Sequence, residues 1–456
     1  MGKEFRIKDF LIRIKDQIII EDDTTYKRVT VSGNHKGVKL RDEVIGALIG
    51  TKKQFVIKAK DFILSKIDAR NGAFGIIPDE LDGAIITGNF WTYSVDTDLI
   101  DTEWFFYFTH SYNFIQICIE SSTGSTHRKY LDEKVFLNHK IFVPEIKEQK
   151  QMVKRYKSSS KISKKLSLEI SSQKEYLFQL KQSILQEAIQ GKLTEEWRTA
   201  RQAQESPLEE ASELLKRIKA EKAQLVKEKK IRKEKALPPI SDEEIPFDLP
   251  EGWVWTKLGD ICTKTGSGST PRGGKSAYIE AGIPFIRSQN VYDGGLRLSG
   301  VAYIPMATHK KMKGTKVQAE DLLLNITGGS IGRCCIVPKD FKTGNINQHV
   351  AIIRTLIKSN GYFIHKVVCS PYFQNMIYEA QTGAGREGLP KNKMDNILIA
   401  LPPLEEQQEI VKKVEVLMEH CEELEKEVAE SEANAQMLMQ AVLKEAFEGE
   451  IKKEMV

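Results

Sequence analysis

The run GSGSTPRGGKS from Gly266 is the stretch that comes nearest to a phosphate-binding loop. Such a loop keeps four residues between its first glycine and the Gly-Lys-Ser, so that successive backbone N–H groups face the phosphates. Counted back from Gly274-Lys275-Ser276, the required glycine falls on Ser269, and Gly268 is one place too far. The spacing argues against nucleotide hydrolysis. The short G-x-G runs lack the preceding strand and following acid of a dinucleotide or methyl-donor site. There is no Asp/Asn-Pro-Pro-aromatic run of the kind an adenine methyltransferase would carry, and no nuclease-like cluster of Asp, Glu and Lys. The histidines are scattered, and Cys118, Cys262, Cys334, Cys335, Cys369 and Cys421 form no C-x-x-C pair and no zinc-type spacing. They read as small core residues of a reduced, cytoplasmic protein. The residues point to binding without a catalytic centre, metal or cofactor on this chain.

What the chain does offer is side chains suited to base edges and phosphates. Arginine can donate two hydrogen bonds to guanine, and Asn or Gln can pair bidentately with adenine. Lysines and glycine-rich backbone amides suit phosphates. Arg287, Gln289 and Asn290 follow an apolar strand-like run in AGIPFIRSQNVYDGG. Arg386, Lys391 and Lys393 lie in or beside the loop QTGAGREGLPKNKM, and Arg272 and Lys275 in the loop at Gly266. Earlier in the chain, Lys66 and Arg70 lie in SKIDARNG, and His127, Arg128 and Lys129 in STGSTHRKYLDEK. These are the candidate DNA contacts; the alternative for any one of them is a solvated surface charge.

Analogous loops occur in both halves because the chain repeats. LKQSILQEAIQGKL from Leu180 returns as LMQAVLKEAFEGEI from Leu438, and VPEIKEQKQMV from Val143 returns as LPPLEEQQEIV from Leu401, both at an offset of 258. No insertion separates the match points, as a continuous helix requires, since an insertion rotates the apolar stripe out of register. The globular parts match more weakly: Gly72, Ile76 and Pro78 meet Gly332, Ile336 and Pro338 at an offset of 260. The predicted organisation is a globular domain over 1–144, a helix over 145–200, a charged helical linker over 201–248, a second globular domain over 249–402 and a second helix over 403–456.

The second helix shows a heptad seam through Ile410, Val414, Leu417, Leu424, Val428, Leu438 and Val442; its counterpart runs through Leu166, Ile170, Leu177, Leu180 and Ile184. Pro144 and Pro402-Pro403 stop the helices extending backwards, and Gly191 and Gly449 are stop signals at the other ends. Neither helix can bury its seam alone, so the copies are expected to pack antiparallel as a spacer about 50 Å long. Between the halves, SPLEEASELLKRIKAEKAQLVKEKKIRKEKALPP reads as a charged helix from about Pro207 to Pro238-Pro239, either a solvated linker or a contact to phosphates. The fold class is α+β: two mixed α/β domains joined by two long antiparallel coiled-coil helices, with a pseudo-twofold internal repeat.

The 456 residues suffice for about three domains, and 41% hydrophobic content allows real cores. The net charge of +5 is compatible with nucleic acid without demonstrating it. The N-terminus, MGKEFRIKDF, lacks the apolar core of a signal peptide, and no apolar run approaches the roughly 20 residues of a membrane helix.

Taken in order, LPEGWVWTKLGDIC at Leu249, IPFIRSQNV at Ile283, TGAGREGLPKNKM at Thr382, LPPLEEQQEIV at Leu401 and the paired helix segments resemble the specificity subunits of type I restriction–modification enzymes over nearly the whole chain. The resemblance implies two target-recognition domains, each reading one half of a split, asymmetric site in double-stranded DNA. It also implies that the helices fix the gap and dock two modification subunits, which bind S-adenosylmethionine and methylate adenine. Restriction subunits, with ATP- and magnesium-dependent motor and nuclease activity, join that core. The first domain departs from the pattern in lacking an LPEGW-like opening. The other readings are a noncatalytic coiled-coil scaffold or adaptor and, from the loop at Gly266, a nucleotide-dependent enzyme.

Overall fold

Alternation of apolar residues along short strands decides where each domain keeps its cores. The computed structural model describes residues 2–125, 128–202, 209–380 and 388–448, and the chain folds as two units: Met1–Ser172 with Val428–Val456, and Gln173–Glu427. Phe62–Ser65 is buried on both faces: Phe62 and Leu64 enter one core with Phe10, Phe105 and Phe114, while Ile63 enters another with Val29, Val31 and Ile77. Successive side chains of a strand point to opposite faces, so one strand serves two cores. In the second unit Leu322 and Leu324 lie in one core and Leu323 in the other. Adjacent Cys334 and Cys335 are divided the same way, and all six cysteines are free thiols. Burial pushes the Cys262, Cys335 and Cys369 thiols up to about 12.

The strand orders of the two units correspond. Leu11–Ile14, Phe90–Val95, Phe62–Ser65 and Phe74–Ile76 form an antiparallel sheet in that order, matched by Cys262–Ser267, Val350–Thr355, Leu322–Asn325 and Cys334–Ile336. The last three strands of each begin 260 residues apart, the offset seen in the sequence. A second sheet runs Gly37–Ile45, Thr25–Ser32, Ile85–Ile86, Lys53–Val56; its counterpart runs Ala302–Ile304, Ile283–Ile286, Gly344–Ile346, Lys316–Val317. Each contains a single parallel pair at the same place, and the first adds one edge strand, Gln17–Ile19. Lys3–Arg6 pairs with Lys140–Val143 as Val254–Lys257 pairs with Leu398–Leu401. The opening strand of the first domain is therefore present.

The two long helices are Ile146–Ile189 and Leu404–Glu448. Proline stops both starts as expected. Gly191, at φ 73°, ends the first, with Gly191 N–H donating to Ala188 O and Lys192 N–H to Glu187 O. Gly449 lies outside the described residues. Within the second unit the helices run antiparallel: Thr194 meets Glu406, and Lys181 lies 2.7 Å from Glu425. The seam needs correction. One row is buried or half-buried along its length: Ile170, Leu177 and Ile184 in the first helix, and Val414, Cys421, Val428, Ala435 and Val442 in the second. Ile410 is buried and Leu417 half-buried near the second domain, but Leu166, Leu180, Leu424 and Leu438 of the other row are exposed. The other row is therefore left largely uncovered in this chain, although a tight two-stranded coiled coil would bury both.

Each long helix is fixed to its own domain by the same glutamine. Gln149 and Gln407, 258 residues apart, are buried and donate to Pro144 O at 2.7 Å and Pro402 O at 2.9 Å. Gln149 also donates to Leu99 O and accepts from Asp101 N–H at 2.7 Å. Gln149→Ala leaves these groups unmet, and the expected destabilisation is about 2–3 kcal/mol, readable as a shift in urea midpoint at constant slope.

The linker is also corrected. Its helix is Ala211–Lys227, and Ala211, Leu214, Leu215 and Ile218 are buried, the three larger ones in the core of the second domain. It stops well before Pro238: Lys229 adopts φ 57°, with Lys229 N–H donating to Val226 O and Lys230 N–H to Leu225 O. Beyond Val226 the sequence KEKKIRKEK offers no continuing apolar face and places like charges one turn apart. Among the described residues no helix is long and apolar enough to cross a membrane.

Candidate nucleic-acid interface

Two turns converge in the first domain. One follows the strand Phe62–Ser65 and contains Lys66 and Arg70; the other is the hairpin Ser122–Ser125 with Arg128–Leu131. Leu131 N–H donates to Lys66 O at 2.8 Å and locks them together. The second domain repeats the lock with Leu389 N–H to Ile326 O at 2.9 Å, each partner displaced by the local offset of 258 or 260. Gly388 beside it has no room for a side chain: a Cβ there would lie 2.1 Å from Thr327 Cγ2 and 2.2 Å from Ile326 O. Gly388→Ala must displace the turn at Thr327 or the lock itself. The expected outcome is altered or lost recognition by the second domain alone, checked by mapping which half of a bound site changes.

More turns join this place in the second domain. Thr327 Oγ1 and His349 Nδ1 are 2.6 Å apart, Gln348 Nε2 and His349 Nε2 are 3.0 Å apart, and Thr270 Oγ1 donates to Gln348 Oε1. Asn325 Nδ2 donates to Ser288 O at 2.9 Å and to Ser330 Oγ at 3.1 Å, bringing in the Arg287–Asn290 turn. The turns 268–277, 326–332 and 346–349 contain no carboxylate, and Arg272 is exposed on the first of them. The result is a surface of amides, hydroxyls and cations. The three turns offer donors and acceptors for base edges and carry no acid of their own.

The candidates divide on this framework. Lys66 is half-buried, its Nζ 5.4 Å from the Trp91 ring centre, and burial together with neighbouring Arg13 lowers its pKa. Arg70 and Arg287 are half-buried, each with an Nε that has no hydrogen-bond partner. Lys129 is half-exposed on its hairpin; Gln289 and Lys393 are exposed. Two assignments are corrected. Asn290 is buried and serves the fold: its Oδ1 accepts from Arg287 N–H at 3.0 Å, and its Nδ2 donates to Arg297 O at 3.0 Å. Lys391 is held by Asp395 at 2.5 Å and Glu234 at 3.4 Å, and Asp395 accepts from Thr265 Oγ1, so this charge is neutralised within the domain. His127 and Arg386 lie outside the described residues, as do the side chains of Arg128 and Lys275.

Sequence reasoning missed several groups. Gln348 and His349 came from no motif, and Thr270 and Thr327 were not singled out, although NINQHVAIIRT has the same polar-turn-beside-apolar-strand pattern as IPFIRSQN. Arg13 also escaped notice: it pairs with Glu133 at 2.9 Å and lies over the Trp91 and Tyr93 rings. Arg297 and Arg333 flank Tyr292, 4.0 and 5.1 Å from its ring centre. The near phosphate loop at Gly266 leads only into a 3-10 turn, Gly274–Ala277. Gly268 is pressed against Ile346 O, leaving no helix N-terminus to face a phosphate. No group of three metal-ligating side chains is found among the described residues.

This doubled domain-and-helix plan, with equivalent loop locks, defines a protein built from two copies of one recognition unit. The family model for the type I restriction modification DNA specificity domain matches twice, over residues 3–172 and 250–431, and the chain belongs to that family. It is 32% identical over 249 residues to the EcoAI specificity subunit of Escherichia coli, covering 54% of this chain and 40% of that protein. It is 51% identical over 92 residues to the EcoEI specificity subunit of E. coli, covering 20% of this chain and 14% of that one. The matches thus span less than half the length of these relatives. Among solved structures, the HsdS subunit from Thermoanaerobacter tengcongensis superposes with TM-score 0.56 at 18% identity, over 98% of this chain and 97% of that one. A chain from a study of complex assembly and conformational transition in the type I R-M system gives 0.61 at 17% identity, over 98% of both chains. At these identities the likeness is one of fold.

Proposed function

We propose that the chain is the noncatalytic DNA-reading subunit of a type I restriction–modification complex, working in the cytoplasm. Each domain reads one half of a split site in double-stranded DNA through its locked pair of turns. The long helices set the gap between the halves and dock two modification subunits, and restriction subunits join that assembly. S-adenosylmethionine, ATP and magnesium act on those partners. The observation that carries the reading is the lock itself, Leu131 to Lys66 and Leu389 to Ile326, repeated at the same place in both domains. It gives two equivalent reading heads whose exposed residues differ, as two different half-sites require. The exposed helix row, with Tyr176 and Phe178 exposed on the same first helix, supports the docking of protein partners.

Duplex binding by the chain assembled with its modification subunits, measured over a series of salt concentrations, tests the reading. A DNA reader loses affinity steeply as salt rises, with a log–log slope of about −0.9 for each phosphate neutralised. A scaffold that binds only proteins would show no such slope.

A further inference from the structure

The linker helix is bolted to the second domain and delivers a basic strap beside its reading turns. Leu214, Leu215 and Ile218 are buried in the domain core, Lys222 Nζ donates to Gly259 O at 2.5 Å, and Lys219 lies 3.5 Å from Asp260. The chain leaves the helix at Lys229 and runs without regular secondary structure from 232 to 241. Its far end is also held, since Leu237 packs against Gly259: a Cβ on that glycine would be 3.0 Å from Leu237 Cδ1. In between, Lys227, Lys229, Lys230, Arg232, Lys233 and Lys235 are all exposed.

The charge on this strap is poorly compensated. It contains two acids. Glu228 lies 2.8 Å from Lys230, and the exposed Glu234 lies 3.4 Å from Lys391 of the domain. Among the described residues, Lys227, Lys229, Arg232, Lys233 and Lys235 have no carboxylate within ion-pair distance. Glu234 also fixes the strap's position. Lys391 is two residues beyond Leu389, which makes the loop lock, and its side chain runs past Gly266, where the Thr270 turn begins. The free cations are therefore held next to the reading surface, while both of the strap's acids are already paired, with Lys230 and Lys391. A solvated linker needs neither anchor. Two anchors around a row of unpaired cations make a rail for a polyanion.

We infer that residues 227–235 form a sequence-independent phosphate-binding rail for the DNA backbone flanking the half-site of the second domain. This rests on the DNA-reading function proposed above. The rail contributes affinity and on-rate without base information, because backbone contacts position a duplex and do not read it.

The test uses the full chain assembled with its modification subunits. Lys227, Lys229, Arg232, Lys233 and Lys235 are replaced together by Gln, and binding to a duplex bearing the methylated motif and to a scrambled duplex is followed by anisotropy across salt concentrations. The salt slope is expected to flatten by about 0.9 for each phosphate that is no longer neutralised, with affinity falling by the same factor on both duplexes and the methylated motif unchanged. Unchanged amide exchange over Ala211–Lys227 would show that the anchor is intact. A slope equal to wild type overturns the inference. So does a loss confined to the motif duplex, or a loss of modification-subunit binding in place of DNA binding. If the wild-type assembly itself shows no salt-dependent binding, the DNA-reading function fails first.

Discussion

Glu406→Ala is expected to destabilise the second unit by about 3–5 kcal/mol, the usual cost of breaking a buried pair from one side. Glu406 sits in the first turn of the second long helix and is fully buried. Its carboxylate accepts from Trp253 Nε1 at 2.8 Å, from Thr194 Oγ1 at 2.6 Å and from Arg198. Arg198 in turn donates to Gly191 O at 2.9 Å, at the stop of the first long helix. One carboxylate therefore gathers the end of one long helix, the short helix Glu195–Gln202, the opening of the second domain and the start of the other long helix. Alanine leaves a largely buried guanidinium without its counter-charge and an indole N–H without an acceptor. Removing the cation as well, in Glu406→Ala with Arg198→Met, should recover much of the loss, since apolar replacement of a whole buried pair is often near neutral. Urea unfolding followed by amide exchange in the strand Val350–Thr355 measures both. A loss under about 1 kcal/mol for Glu406→Ala would contradict this role.

The second large effect concerns the gap. Seven residues inserted after Ser172 and seven after Glu430, positions 258 apart, keep the buried row in phase and lengthen each helix by about 10.5 Å. At 3.4 Å per base pair, the recognised gap should grow by about three base pairs with both half-sites unchanged. Five residues inserted at each place rotate the row by about 140° and should abolish recognition. Mapping the methylated motif for each variant reads the result. A heptad insertion that leaves the gap unaltered would show that the helices do not set it.

The helices were legible because a long helix tolerates no insertion: the offset of 258 is preserved from Val143 and Leu401 to Leu193 and Ile451. Their proline starts and the Gly191 stop were legible for local reasons. The exposed row was not, because a heptad pattern records which residues want cover and leaves open what covers them. The linker was misread through its charge, although Leu214, Leu215 and Ile218 already form a helical face. Lys391 and Asn290 were misread because sequence cannot show a satisfied partner. Asp395 is one turn beyond Lys391, but Thr265, which fixes it, is 130 residues away. The reading surface was only half visible, since Thr270, Thr327, Gln348 and His349 come from three turns that only the sheets bring together.

Methylome mapping in cells carrying this chain with its modification subunits tests the central claim most directly. Adenine methylation is expected at a split, asymmetric motif, present with the chain and gone when it is deleted. Methylation that persists unchanged without the chain would contradict it.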